Sequence, residues 1–410
     1  MTYLVVVAGL VLLVFLHELG HFSVARAVGM RPRSFYIGFP PALVKVRRKG
    51  IEYGIGMIPL GGMVQLPGMN RPAARDLRLY FEQAVREQPS LVPAVGAVRR
   101  ALDAENYEAA RRASAELGRE VGAAELTPRA RRSAERAIRE VEEGTSPEAY
   151  WRGATWKRVA VIAAGPLMNI LVAFAILFVV FAVSGGPSDR PSLQVGAVES
   201  GTPAAAAGLQ PGDRIVAVNG RRVSTFGAAS HLIRSSHGGK VTLSVVRDGQ
   251  RVAVGPHRTA KLDGRWIFGF EPDAIVVPYS TGRAADAAGS DLWSVVTGTT
   301  AGLRGLFSSH GRSQLSGPAG IVKVSQQQLK VGWTHYLEIL AFVSMSLALL
   351  NLLPLLPLDG GHILFSLIEA VRRRALAPEV YERVSVVGFA FILLLLVIAS
   401  SNDFSGGGPH

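Results

Sequence analysis

Three residues near the N-terminus have the types and spacing to hold and use a metal ion: His17, Glu18 and His21, in the stretch HELGH. Side chains four apart lie on one face of an α-helix, so His17 and His21 can reach a single zinc ion. Glu18 stands beside them, where a carboxylate can take a proton from a water at the metal. The motif ends an apolar run, residues 3–16 (YLVVVAGLVLLVFL). Ionisable groups in such a span are costly and mark function. The plain alternative is an interfacial cluster of polar side chains.

Catalytic zinc sites keep three protein ligands and an open position. The chain has no cysteine, so the third ligand must be His, Asp or Glu, and thiolate chemistry and disulfides are excluded. The distant stretch NLLPLLPLDGGH, residues 351–362, offers Asp359, the only acid between Glu338 and Glu369. Two alternatives stay open: Asp359 as the N-cap of a helix GGHILFSLIEAV, and His362 as the ligand. Pro354 and Pro357 should break the helix ahead of Asp359, freeing backbone groups that a substrate could use.

Positioning residues so far apart in sequence takes long elements. Four apolar spans stand out, at about 3–25, 158–183, 335–356 and 384–400. About 20 residues cross a bilayer as a helix. The hydrophobic fraction of 49% and the mean hydropathy of +0.26 suit a membrane protein with soluble parts. The first span has no Lys or Arg before Arg26 and runs straight into HELGH, so it is read as a retained helix and not a signal peptide.

The formal net charge is +13, but the arginines cluster near the spans and no basic-aromatic patch of a nucleic-acid module is present. The surplus therefore reports topology. Arg31, Arg33, Lys45, Arg47, Arg48 and Lys49 lie between spans one and two, and Arg372, Arg373 and Arg374 between three and four. Both linkers should be cytoplasmic, which puts both termini and the segment 184–330 outside.

Between spans the pattern changes three times. Residues 34–68 alternate and are rich in Gly and aliphatics, which reads as two or three short strands dipping into the membrane, or else a small surface sheet. Residues 72–149 are rich in Ala, Arg and Glu at helical spacing, with Thr127-Pro128 as an N-cap and first-turn proline. Two to four solvated helices are expected there. Residues 193–275 carry β-branched runs separated by Gly-Asp, Asn-Gly and Asp-Gly turns, the mark of a small β-rich domain. The stretch SGTPAAAAGL should supply a loop or short helix between its strands.

HELGH in the first span, GPLMN in the second and NLLPLLPLDG in the third together resemble the site-2 protease family of intramembrane zinc metalloproteases. Gly165, Pro166 and Asn169 match the family's G-P-x-x-N motif. Asn351, Pro354, Leu358, Asp359 and Gly360 match N-x-x-P-x-P-x-L-D-G. One position departs: Leu356 stands where the motif has its second proline, and Pro357 follows. SGPAGI, residues 316–321, also resembles a family segment. The resemblance covers about 1–70 and 150–400, and 72–149 looks like an insertion.

The resemblance implies zinc held by His17, His21 and Asp359, Glu18 as catalytic base, and Asn351, Asn169 and Pro354 at the substrate. It implies a membrane-dipping β-hairpin at 51–66 whose edge pairs with a substrate strand. AGLQPGDRIVAVNG resembles a PDZ domain, which implies a size filter or a reader of peptide C-termini, with a spacer as the plain alternative. The expected substrates are single-pass membrane proteins already trimmed by another protease, such as anti-sigma factors or signal-peptide remnants.

The expected fold is an α-helical polytopic membrane protein with four transmembrane helices. Its parts are 1–70 (first transmembrane helix and hairpin), 71–150 (cytoplasmic helical insertion), 151–186 (second transmembrane helix), 187–278 (PDZ-like domain, extracytoplasmic), 279–333 (linker and amphipathic segment) and 334–410 (third and fourth transmembrane helices). The expected location is the bacterial inner membrane, with the active site near the cytoplasmic face. The rivals are a catalytically inactive scaffold presenting the PDZ-like domain, and a transporter. The sequence lacks the paired interrupted helices in repeated halves expected of a transporter.

Overall fold

The computed structural model describes residues 2–69, 71–188, 191–262, 264–273, 275–305, 317–374 and 376–405. Among them, four helices are long and apolar enough to cross a membrane: α1 (Thr2–Ala27), α6 (Thr155–Ser184), α11 (Trp333–Asn351) and α13 (Pro378–Ser405). Their exposed faces are apolar. On α13 Val386, Val387, Phe389, Leu393, Leu394 and Val397 all stand exposed, which lipid tolerates and water does not. The third span stops at Asn351, short of 356, because Pro354 lacks a donor and pushes the residue before it out of the helical region.

Chain contacts divide the protein into two units, residues 1–177 with 289–410, and residues 178–288. In the first unit, β1 (Ser34–Arg48) and β2 (Ile51–Gln65) meet at a two-residue turn whose residues, Lys49 and Gly50, both have positive φ. That is the turn type whose twist suits a hairpin. The ribbon folds on itself. Ser34 pairs with both Glu52 and Gln65, and Tyr36 with both Gly54 and Met63, while 42–48 pairs with 51–56. Four lanes result, with 62–65 outermost on one side. Ser34 to Tyr36 are buried, whereas Phe39, Leu43, Val44, Val46, Ile55 and Met57 at the far end are exposed.

The block after the hairpin forms α2 (Ala74–Glu87), α3 (Val92–Asp103), α4 (Tyr107–Ala123) and α5 (Pro128–Thr145). Thr127 caps α5 as expected, accepting from Ala130 N–H, with Pro128 in the first turn. The buried stripe of α5 is Ala130, Ala134, Ala137, Ile138 and Val141, one helical face that packs on Leu77, Phe81, Val98 and Leu117. The block has its own core. Arg75 also reaches Glu379 and Glu382 of α13, at 3.3 and 2.6 Å.

In the second unit, β5 (Arg214–Val218), β6 (Arg221–Arg222), β7 (Lys240–Arg247) and β8 (Gln250–Arg258) form a sheet in the order β6-β5-β7-β8. Its hairpins turn at Asn219-Gly220 and Asp248-Gly249, all four residues with positive φ. The SGTPAAAAGL stretch contains a helix of one turn, α7 (Pro203–Ala206), capped by Thr202. α8 (Phe226–Arg234) completes the core with Ala229 and Ile233 on Ile215, Leu243 and Val245.

One ion pair in this unit carries a pH dependence. The Asp213 side chain is 1% exposed and receives Arg247 Nε and Nη2, both at 2.7 Å. The guanidinium holds the Asp213 carboxyl below the usual carboxylate range. A lowered folded value contributes stability above the unfolded value of about 3.9, lost as pH falls through the folded one. Arg247→Met should remove that contribution and leave the Asp213 carboxylate without its cation. The check is the acid midpoint of the unit's β-sheet circular dichroism in detergent, which should move to higher pH.

Helices α9 (Thr281–Gly305) and α10 (Pro318–Val331) occupy most of the stretch expected as linker and amphipathic segment. In SGPAGI, Ser316 lies outside the described residues. The Gly317 and Gly320 amides donate to Asp403, each at 2.9 Å. The last described helices are α11, α12 (Asp359–Arg372) and α13.

Candidate metal centre

Helix α1 brings His17 and His21 together on one face, and α12 delivers Asp359 from its first residue. The two Nε2 atoms are 3.2 Å apart, and Asp359 Oδ2 lies 3.3 Å from one and 3.4 Å from the other. A tetrahedral zinc with ligand distances near 2.0–2.1 Å spaces its ligand atoms about 3.3–3.4 Å apart. The triangle fits. Asp359 Oδ2 is buried and has no hydrogen-bond donor, and two imidazole nitrogens face it and each other. Such a set of lone pairs calls for a cation at its centre.

Asp359 is not an N-cap. The capping position belongs to Leu358, no side-chain cap bond is present, and the carboxylate turns to the histidines. His362 lies one turn further along α12 and lines a different cavity. The Pro-containing loop before Asp359 folds back on α12. A Cβ on Gly361 would meet Leu356 N at 2.5 Å, and one on Gly388 of α13 would meet Leu356 C at 2.9 Å. Leu356 is fully buried there, so the position that departs from the motif packs against the fourth span.

Helix α6 braces the site. Val161 O accepts from His21 Nδ1 at 2.8 Å, which fixes the tautomer with the Nε2 lone pair facing inward. Gly20 and Gly165 let the α1 and α6 backbones approach closely. A Cβ on Gly20 would meet Ala164 C at 2.9 Å, and one on Gly165 would meet His17 Cε1 at 2.8 Å and run into His21. Arg158 of α6 pairs with Glu369 of α12 at 2.7 Å, and Ser344 of α11 donates to Asn169 O at 2.9 Å. Asn169 is 1% exposed, its Oδ1 without a partner. Asn351 ends α11 and Pro354 sits in the following loop; no described contact ties either to the ligand triangle.

Glu18 is 8% exposed and packs against the outer lane of the hairpin, where a Cβ on Gly62 would meet its Oε1 at 2.9 Å. The sequence motifs name Gly165 without a role, and nothing in the sequence marks Gly62. Gly62→Ala should push the Glu18 carboxylate aside and leave the three ligand atoms alone. A reaction that uses Glu18 as a base should slow about 10–100-fold at unchanged content of bound metal, read by metal analysis beside a rate measurement.

A profile of peptidase family M50 matches residues 5–395. The chain belongs to that family. It is 30% identical to the zinc metalloprotease RasP of Bacillus licheniformis, over 95% of this chain and 96% of that one. It is 30% identical to RasP of Oceanobacillus iheyensis (95% and 96%) and 28% to the regulator of sigma-W protease RasP of Bacillus subtilis (95% of each). This M50 member is a multi-pass membrane zinc metalloprotease of the site-2 protease type.

Proposed function

We propose that this M50 protease is an intramembrane endopeptidase that cleaves transmembrane segments of single-pass membrane proteins. One observation carries the reading. The metal triangle is built from a membrane helix and a distant helix, with His17, Glu18 and His21 all at 8–9% exposure. A site so enclosed serves a substrate that is itself in the membrane.

Held by His17, His21 and Asp359, zinc would supply Lewis-acid polarisation and lower the pKa of water enough for it to lose a proton near neutral pH. Glu18 takes the proton of the attacking water and returns it to the leaving amine. Asn169 and Asn351 hold the substrate backbone, and the freed backbone around Pro354 offers it further hydrogen bonds. A peptide bond in a helix is shielded by its own hydrogen bonds, so the substrate must unwind first. The lane 62–65, outermost in the hairpin and next to Glu18, can hold the unwound segment by strand addition. The exposed apolar end of the hairpin, around Val44 and Met57, dips into the bilayer.

Charge in the linkers supports a cytoplasmic active site and an extracytoplasmic 187–278 domain. That domain is PDZ-like in our reading and screens substrates by size or reads a C-terminus exposed by earlier cleavage. Anti-sigma factors and signal-peptide remnants are the substrate classes. The name of the Bacillus subtilis relative, regulator of sigma-W protease, supports the former.

The test reconstitutes the zinc-loaded protein with a single-span substrate in vesicles and maps products by mass spectrometry. Cuts inside the apolar segment that stop on chelation and resume with zinc support the reading. Cuts only in the soluble flanks, or zinc-loaded protein that binds substrate and never cuts it, overturn it; the latter result is that of an inactive scaffold.

A further inference from the structure

A second cavity of about 290 Å³ lies between the start of α6 and the far end of α12. His362, Ser366 and Glu369 line it from one face of α12, at helical spacing, and Arg373, just past the helix end, joins them. Four arginines face it, Arg71, Arg158, Arg373 and Arg374, against the single carboxylate of Glu369. That carboxylate is already engaged: Oε2 takes Arg158 at 2.7 Å and Oε1 takes Leu376 N–H at 2.9 Å. Three positive charges remain without compensation in the lining.

Two of the arginines have donors with nowhere to go. Arg158 is 7% exposed, yet its Nε is buried without an acceptor. Arg71 Nε is likewise buried and unpartnered, and its Cζ lies 4.5 Å from the centroid of the Trp151 ring. Buried guanidinium donors are paired in stable proteins, so these await an acceptor. The contact with the Trp151 ring restrains the fork of Arg71, and a guanidinium fork suits bidentate recognition of a phosphate.

Position narrows the ligand. The apolar span of α6 begins at Thr155, which also lines the cavity, and Tyr150, Trp151 and Trp156 cluster at its start. Such aromatic groups sit at headgroup level. The volume is near the lower end of small-molecule sites and admits a headgroup without its acyl chains.

We propose that this cavity binds a phosphate group at the membrane surface, with Arg71 and Arg158 as inner donors and Arg373 and Arg374 at the rim. An anionic phospholipid headgroup or free phosphate could supply it; the aromatic surroundings favour the lipid.

The test uses the full zinc-loaded chain in neutral detergent. Native mass spectrometry compares retention of added phosphatidylglycerol and phosphatidylcholine, and phosphorus NMR follows line broadening of millimolar inorganic phosphate. Retention of phosphatidylglycerol over phosphatidylcholine, falling about fivefold in each of Arg71→Gln and Arg374→Gln at unchanged zinc content, supports the lipid source. Phosphate broadening that Arg71→Gln abolishes, with no lipid preference, supports the same site with a soluble source. A wild-type protein with neither lipid preference nor phosphate broadening overturns the proposal. So does a preference or broadening unaltered in both variants.

Discussion

Glu18→Gln is expected to keep its zinc and lose about 10²–10⁴-fold in peptide cleavage, the usual contribution of a positioned general acid–base group. Gln matches Glu in shape, so the packing against Gly62 and the outer hairpin lane survives. It cannot accept the proton of the attacking water, nor return one to the leaving amine. The ligand triangle does not include Glu18, so zinc stoichiometry should match wild type. His17→Ala should do the opposite first, losing the metal and with it all turnover. The pair of variants separates chemistry from metal retention. Wild-type turnover by Glu18→Gln would remove Glu18 from the mechanism while leaving the zinc site intact.

Gly165→Ala is expected to lower activity through the metal and not through the base. The added Cβ would meet His17 Cε1 at 2.8 Å and overlap His21 more closely still. Neither neighbour can yield cheaply. His21 is held by Val161 O at 2.8 Å, and the α6 backbone is braced by the Arg158–Glu369 and Ser344–Asn169 bonds. The imidazoles must turn out of the triangle, and changes that misorient metal ligands cost about 10–100-fold in affinity. Zinc competition against a chromophoric chelator measures it. Unchanged zinc affinity in a folded Gly165→Ala protein would mean that α6 does not press on the ligands.

Much of this was legible in the sequence because it is written in local periodicity. Helical spacing puts His17 and His21 on one face whatever surrounds them, and uninterrupted apolar length marks the spans. Turn chemistry is equally local: Asn219-Gly220, Asp248-Gly249 and the Thr127 cap all adopt the geometry their residue types favour. Asp359 stood out because a lone acid after an apolar run is costly unless it has a partner. Its choice over His362, and over a capping role, needed the fold. Both residues occupy the first turns of α12, and only the position of α1 decides which one faces the imidazoles.

The sequence by itself determined the chemistry of the metal site, its membrane setting and the existence of separate helical and β-rich parts, since each depends on residue type and short-range spacing. Tertiary structure alone decided how close the backbones come. Gly165 under the imidazoles, Gly62 against Glu18 and Leu356 buried beside Gly388 are distances between segments remote in sequence. The same holds for the arginine cavity, whose lining comes from the loop before α2, the start of α6 and the end of α12. Packing is a property of pairs of elements, and no period within one element records it.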